Sequence, residues 1–270
     1  MASLDELENL LKEASRLLDK TAAEIRDIGL EPEKNVRRIG EAIVLAHTLM
    51  VHLVVMITCT LAVARGAANA CDVPREVREA TLASIQAFIH GKKMTVLTFA
   101  GYSGAQYQDP GTMLERASRI LDGQEPTKTL INIGATAVGI GAVYEIAKQK
   151  GFTTMGIVST LARDENVTLS NCVDYVFYVQ DSTWGGQIPG ANRLSPTSAA
   201  FVEASASFVA IGGGDLTRDE MLAARQAGKP VTFIPADMNH EIAREKAQQR
   251  GEPEPTDFRG STHAALATGP

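Results

Sequence analysis

The chain has 270 residues, 44% of them hydrophobic and 21% charged, with a formal net charge of -6. That is ordinary globular composition, long enough for one large domain or two smaller ones. The acidic balance argues against a nucleic-acid-binding protein, which would carry a basic surface to meet phosphates.

Residues 1–91 read as helices only. Ser3 and Glu6 have capping-box spacing, and Leu4, Leu7, Leu11, Ala14, Leu18 and Ile25 recur at helical period up to a stop at Gly29. Pro32 opens a second helix that runs to about Arg65, and Asp72 and Pro74 open a third that ends near Gly91. Between Ala42 and Ala64 there is no charged residue, a length that would span a bilayer. His47, His52, Thr48, Thr58 and Thr60 interrupt that apolarity, so a helix buried by its neighbours and by a second subunit is the preferred reading. The segment is therefore expected to form a helical bundle that makes a homodimer or higher homo-oligomer, and membrane association is not expected.

From Lys92 the texture changes to apolar runs alternating with helical stretches. Strands are predicted at Met94–Gly101, Thr129–Ala135, Thr153–Ser159, Asp174–Val179, Phe208–Gly213 and Pro230–Asp237. Helices are predicted at Thr112–Leu121, Gly139–Gly151, Ser195–Ala206 and Thr217–Gly228. This alternation means βαβ units and right-handed crossovers. The fold class is α/β, a doubly wound, mainly parallel, Rossmann-like sheet over residues 92–250, preceded by the all-helical segment. The polar, proline-rich stretch 251–270 is read as a tail, a flexible end or a flap over the site.

The three cysteines, Cys59, Cys71 and Cys172, have no metal-site or CxxC spacing. They are expected to be small core residues in a reducing, cytoplasmic compartment. No basic and apolar leader precedes MASLDELENLL, so secretion is not expected. Neither a metal nor a cofactor is expected.

Ligands of open α/β sheets bind beyond the carboxyl ends of the strands. Those ends carry small or polar residues here: Gly101 and Ser103, then Gly134 and Thr136, then Ser159 and Thr160, then Gly212, Gly213 and Gly214. Two constellations stand out. Gly134, Gly139 and Gly141 join a strand to a helix, either as a phosphate cradle or to allow close helix–strand packing. A dinucleotide fingerprint would need a further glycine where Tyr144 stands and an acidic residue where the next strand ends in Ser159-Thr160, which argues against an ordinary NAD site. Gly212-Gly213-Gly214-Asp215-Leu216-Thr217-Arg218-Asp219-Glu220 places bare backbone beside a helix start, with Thr217 as cap or phosphate ligand and Glu220 in the first turn. Trp184, the sole tryptophan, either stacks on a base or plugs a gap. Asp237, Asn239 and His240 follow the last strand, Asn239 reading as a helix cap, and His263 is expected to be solvated.

The pair of motifs, GATAVGIGAVYEIAKQKGFTTMGIV and GGGDLTRDE followed by AxxAGKPVxxIP, resembles the LOG-like, lysine-decarboxylase-named proteins of the wider SLOG superfamily over residues 93–240. That resemblance implies a nucleotide or nucleotide-derived phosphorylated ligand, with Gly213, Gly214 and Thr217 at the phosphate and Gly139 bordering the base or ribose. It also implies N-glycosidic bond cleavage in a nucleoside 5′-monophosphate, with Glu220 near the ribose. Three departures bear on catalysis: Gly212 replaces the leading proline of the second motif, Leu216 replaces its third glycine, and Thr197 stands where the family has an arginine. Arg193, a turn's length upstream, is the candidate replacement. A sensor or carrier of a nucleotide, or of a pterin-linked phosphate such as the molybdenum cofactor, is the preferred reading. A LOG-like phosphoribohydrolase and a sugar-phosphate module of the SIS type are the alternatives.

Overall fold

In the computed structural model the chain divides into two compact units, Met1–Arg65 and Gly66–Pro270. The structure describes residues 76–267, together with Cys71 and four positions of the first unit, Lys12, Arg16, Asp19 and Lys20. Apart from those four positions, which are helical, the helices expected up to Arg65, the apolar stretch Ala42–Ala64 and Cys59 lie outside the described residues. Among the described residues, no helix is long and apolar enough to cross a membrane.

The second unit is built on seven strands, all parallel: β1 (Glu76–Ala80), β2 (Thr95–Gly101), β3 (Thr129–Ile133), β4 (Thr153–Ser159), β5 (Tyr175–Val179), β6 (Ser207–Ile211) and β7 (Val231–Ile234). Their order across the sheet is β1-β5-β4-β3-β2-β6-β7. The helices are α1 (Leu82–Lys92), α2 (Pro110–Asp122), α3 (Val143–Gln149, preceded by a 3-10 turn at Gly139–Ala142), α4 (Leu161–Asp164), α5 (Pro196–Ala204), α6 (Asp215–Gln226), α7 (His240–Arg250) and α8 (Gly260–Leu266).

Strand alternation sends successive side chains to opposite faces and so makes two cores. Leu97, Phe99, Ile131, Ile133, Val209 and Ile211 pack with Met113 and Ala117 of α2 and Tyr144 and Ala147 of α3. Val96, Ala100, Leu130, Ile157, Phe208 and Ala210 pack on the other face with Ile85 of α1, Phe201 of α5, Met221 of α6 and Leu266 of α8. Helices on both faces of a parallel sheet are the doubly wound arrangement that the alternation of elements predicted. From β2 the order runs outward through β3 and β4 to β5 on one side, while β6 leads to β7 on the other, so the connections after β2 and β6 part company and open a crevice at their carboxyl ends.

Two departures come from the edge of the sheet. Glu76–Ala80, read from sequence as part of a helix, is a strand. Its side chains are almost all exposed and mostly charged, so no apolar alternation marks it. What makes it a strand is the free edge of β5, along which it pairs from Glu76–Tyr175 to Ala80–Val179. The helix begins only after Thr81, which caps Ser84 N–H while Ser84 returns the bond to Thr81 N–H. Parallel neighbours start at the same end of the sheet, which brings Cys71, ahead of β1, beside Cys172, ahead of β5. Their Cα atoms are 4.3 Å apart and the two form a disulfide, so they are not the separate core thiols expected. The stretch 251–267, read as a flexible end or a flap over the site, folds back, and Thr262 and Leu266 of α8 are buried against the domain.

Candidate functional site

The crevice at the carboxyl ends of β2, β3, β4 and β6 holds a cavity of about 310 Å³. Its walls are largely apolar, with Phe99, Ile133, Ile157 and Phe201 among them, and its mouth carries Trp184, Val167 and Leu216. Those three are among the few large apolar side chains left exposed in the described residues, at 45%, 43% and 39%. Polar character enters through Ser103, Thr136, Ser159, Thr197, Thr217 and Glu220. Among the described residues, no lysine or arginine lines it.

The expected site residues divide into four groups. Gly101, Ser103, Gly134, Thr136, Ser159, Thr217 and Glu220 line the cavity together. Gly139, Gly141, Gly212 and Gly213 stand behind its wall, each where a side chain would collide with backbone or with a neighbouring side chain. A Cβ on Gly141 would run into the Thr136 carbonyl, and one on Gly139 into those of Tyr102 and Ser103. Close packing is thus what these two glycines serve. Gly214, with nothing near its Cα hydrogens, is the N-cap of α6. Arg193 and Thr160 are not brought in. Arg193 lines a separate groove with Glu203 and Ala223, because its loop folds back to pair Ile188 N–H with the Arg193 carbonyl at 3.0 Å. Thr160 is buried, with its hydroxyl donating to the Asp181 carbonyl at 3.1 Å.

The hydroxyls around the cavity are mostly occupied. Ser103 and Thr136 bond each other at 2.8 Å, and the Ser159 hydroxyl donates to the Asp181 carbonyl at 3.1 Å. Thr217 neither caps a helix nor stands free: α6 starts two residues earlier, and its hydroxyl donates to the Gly101 carbonyl at 3.2 Å. The helix start itself has no side-chain cap, which leaves its first N–H groups open. Behind the loop, α8 holds it in place. Thr262 donates from its N–H to the Gly213 carbonyl at 3.2 Å and from its hydroxyl to the Gly214 carbonyl at 3.0 Å.

Glu220 is 3% exposed and accepts one hydrogen bond, from the Ser198 hydroxyl at 2.7 Å on Oε1. Burial pushes its carboxyl up to about 8; the Ser198 bond pulls the other way, and the charge of Asp219 adds to the rise. Ser198 in turn accepts the Gly186 N–H at 2.7 Å. Asp219 accepts the Gln187 N–H at 3.0 Å, so the Trp184-Gly185-Gly186 loop is pinned to α5 and α6 and carries Trp184 to the mouth. Asp181 anchors the start of α5 through the Thr197 N–H at 2.8 Å and its own loop through the Thr183 N–H at 2.9 Å. Burial works to raise the Asp181 carboxyl, but these N–H groups and the Thr183 hydroxyl outweigh it and hold the group below the ordinary aspartate range.

Tyr144 stands where a dinucleotide fingerprint would have its third glycine. Its ring is fully buried, and its hydroxyl, 2.6 Å from the Ile133 carbonyl and 2.7 Å from that of Met155, donates its one proton between them while accepting the Ile133 N–H at 3.0 Å. Asn239 caps α7 by accepting the Ile242 N–H at 3.0 Å, while His240 stacks on Phe258 at 4.0 Å between ring centres. Neither lines the cavity. His263 is half-buried: it packs edge-on to Phe233, its Nδ1 is buried without a partner, and its Nε2 faces Arg259 at the surface, 3.4 Å away. Ser198 and Asp181 were missed in the sequence. The Ser195-Pro196-Thr197-Ser198 helix start was the available signal, since a cap followed by proline fixes where the next side chains point. Among the described residues, no group of three or more His, Cys, Asp or Glu is placed to hold a metal ion.

No family model and no curated protein matches the chain. Solved structures do. A structure of the molybdenum cofactor carrier protein from Chlamydomonas reinhardtii matches at 20% identity over 52% of this chain and 76% of its own, with a TM-score of 0.38. A second structure of that carrier matches at 19% identity over 58% of this chain and 85% of its own, with a TM-score of 0.38. TM1055, a structural-genomics target, matches at 20% identity over 51% of this chain and 72% of its own, with a TM-score of 0.37.

Proposed function

We propose that the protein binds a nucleotide or nucleotide-derived phosphorylated small molecule in the cavity beyond β2, β3, β4 and β6, and acts as its sensor or carrier. The observation that carries this reading is the cavity itself. It lies at the switch point of a parallel sheet, its mouth bears an exposed tryptophan, and the uncapped N-terminus of α6 borders it. A phosphate at that helix start would meet open N–H groups and the positive end of the helix dipole, neither of which needs a basic side chain. A planar ring would stack on Trp184 and lie against Leu216 and Val167.

The walls favour holding over cutting. Cleavage of an N-glycosidic bond builds positive charge on the ribose, which a carboxylate stabilises. Glu220 is held largely in its neutral form at pH 7, and Arg193 lies elsewhere. A second reading rests on the same carboxyl. A protonated Glu220 is in the form of a general acid able to give its proton to a departing base, which supports a LOG-like phosphoribohydrolase. We also assign self-association to the N-terminal segment, to be read by light scattering of the full chain.

One experiment separates these readings. The purified protein is mixed with a panel of nucleoside 5′-monophosphates, sugar phosphates and a pterin phosphate, while thermal shift and release of free base are followed together. A shift without release is expected. Release that disappears in Glu220→Gln makes the protein a hydrolase, a shift with sugar phosphates alone points to an SIS-type module, and the absence of any shift overturns the binding reading.

A further inference from the structure

Thr197 is the exception among the hydroxyl side chains of the cavity. Ser103, Thr136, Ser159 and Thr217 all bond to protein groups, whereas the Thr197 Oγ1 is shut off from solvent with no partner. The residue is 6% exposed and lines the cavity together with Glu220. Its backbone is fixed, because its N–H is held by Asp181 Oδ2 at 2.8 Å at the first turn of α5. Capping does not account for its hydroxyl. Ser195 performs that task, accepting the Ser198 N–H at 3.4 Å. A buried hydroxyl left unpaired is costly, so an orphan in the cavity wall marks the place where a ligand group completes the set.

Glu220 offers the complementary half. Ser198 occupies Oε1, and Oε2 has no partner among the described residues. We propose that Thr197 and Glu220 Oε2 together form the specificity element of this cavity, taking an uncharged edge of the ligand that presents a hydrogen-bond donor next to an acceptor. A turn about χ1, which exchanges Oγ1 with the methyl group, lets the Thr197 hydroxyl meet that edge. Two ligand parts have this chemistry: the amide-type edge of a heterocyclic base and the vicinal diol of a ribose. The apolar walls and the absence of lysine and arginine among the lining residues favour such an edge over a second phosphate. This inference rests on the binding reading above and deepens it.

The test uses the full chain and titrations followed by Trp184 fluorescence. The probes are adenosine, guanosine and inosine 5′-monophosphates, adenosine 5′-triphosphate, and the 2′,3′-dideoxy form of whichever monophosphate binds best. Thr197→Val keeps the shape and removes the hydroxyl, and Thr197→Ser restores it. Thr197→Val is expected to weaken the best monophosphate about 5- to 10-fold. It should leave the melting temperature of the unliganded protein unchanged or raised, since an unpaired polar atom is lost. Thr197→Ser should recover most of the affinity. Loss of discrimination between bases in Thr197→Val identifies the base edge, and loss of discrimination against the dideoxy sugar identifies the diol. The inference is overturned if Thr197→Val binds every probe as the parent does, or if it melts several degrees lower, which would make the hydroxyl structural. A parent protein that binds no probe instead overturns the binding reading on which it rests.

Discussion

Ser198 donates its hydroxyl proton to Glu220 at 2.7 Å, from one turn of α5 into the first turns of α6, with both side chains buried. The bond joins the two helices at the floor of the cavity and helps to set the protonation of its one carboxyl.

Stability should therefore depend on pH through Glu220. The unfolded chain releases this proton near the ordinary value of 4.5, and the folded protein holds it to about 8. More protons bound in the folded state means stability that is full below the unfolded value and lost as pH rises through about 8. The loss is of the order of a few kcal/mol between pH 5 and 9. Glu220→Gln, neutral throughout, should flatten this slope. Equal slopes for parent and variant in urea melts across that range would exclude the assignment.

Trp184 should report on occupancy and contribute to it. It is the sole tryptophan and stands at the cavity mouth, so filling the cavity alters its emission without a label. Stacking of a base on an aromatic ring is worth about 1–3 kcal/mol. Trp184→Ala should accordingly weaken binding by about 5- to 150-fold while barely moving the melting temperature, because the side chain is 45% exposed. Unchanged affinity by calorimetry would remove Trp184 from the site.

Two glycines of one motif should behave in opposite ways. Gly134 lines the cavity and has open space where a Cβ would stand, so Gly134→Ala should fold normally and lose ligand affinity. Gly141 is packed against the Thr136 carbonyl, so Gly141→Ala should cost about 1–3 kcal/mol of stability. Chemical melts paired with titrations distinguish the two, and equal losses of stability would contradict the packing described.

Reduction should loosen the outer edge of the sheet. The Cys71–Cys172 bond closes a separation of 101 residues, and bonds of this kind contribute about 2–4 kcal/mol. Dithiothreitol should lower the melting temperature of the parent and leave that of Cys71→Ser unchanged. A thiol titration that finds both cysteines free in the non-reduced protein would rule the bond out.

Strands such as Thr95–Gly101 were legible in the sequence because a run of buried apolar and β-branched residues needs no partner to be recognised. The edge strand Glu76–Ala80 was not, since its conformation is imposed by β5 and not by its own pattern. At the site, Glu220 and the strand-end residues could be found because their positions follow from topology. Arg193 could not be placed, because nearness along the chain says little in a loop that turns back on itself. Thr197 drew notice only as a missing arginine. Its unpaired hydroxyl appears once α5, β5 and the Asp181 turn are assembled around it.

The clamp of Thr262 on Gly213 and Gly214 gives the glycine loop a remote reporter. Any ligand that draws this loop toward the cavity stretches two hydrogen bonds at α8, and any ligand that firms the loop shortens their opening. The Thr262 amide, whose own partner is the Gly213 carbonyl, would then exchange its proton with solvent at a rate set by what fills a cavity it does not line.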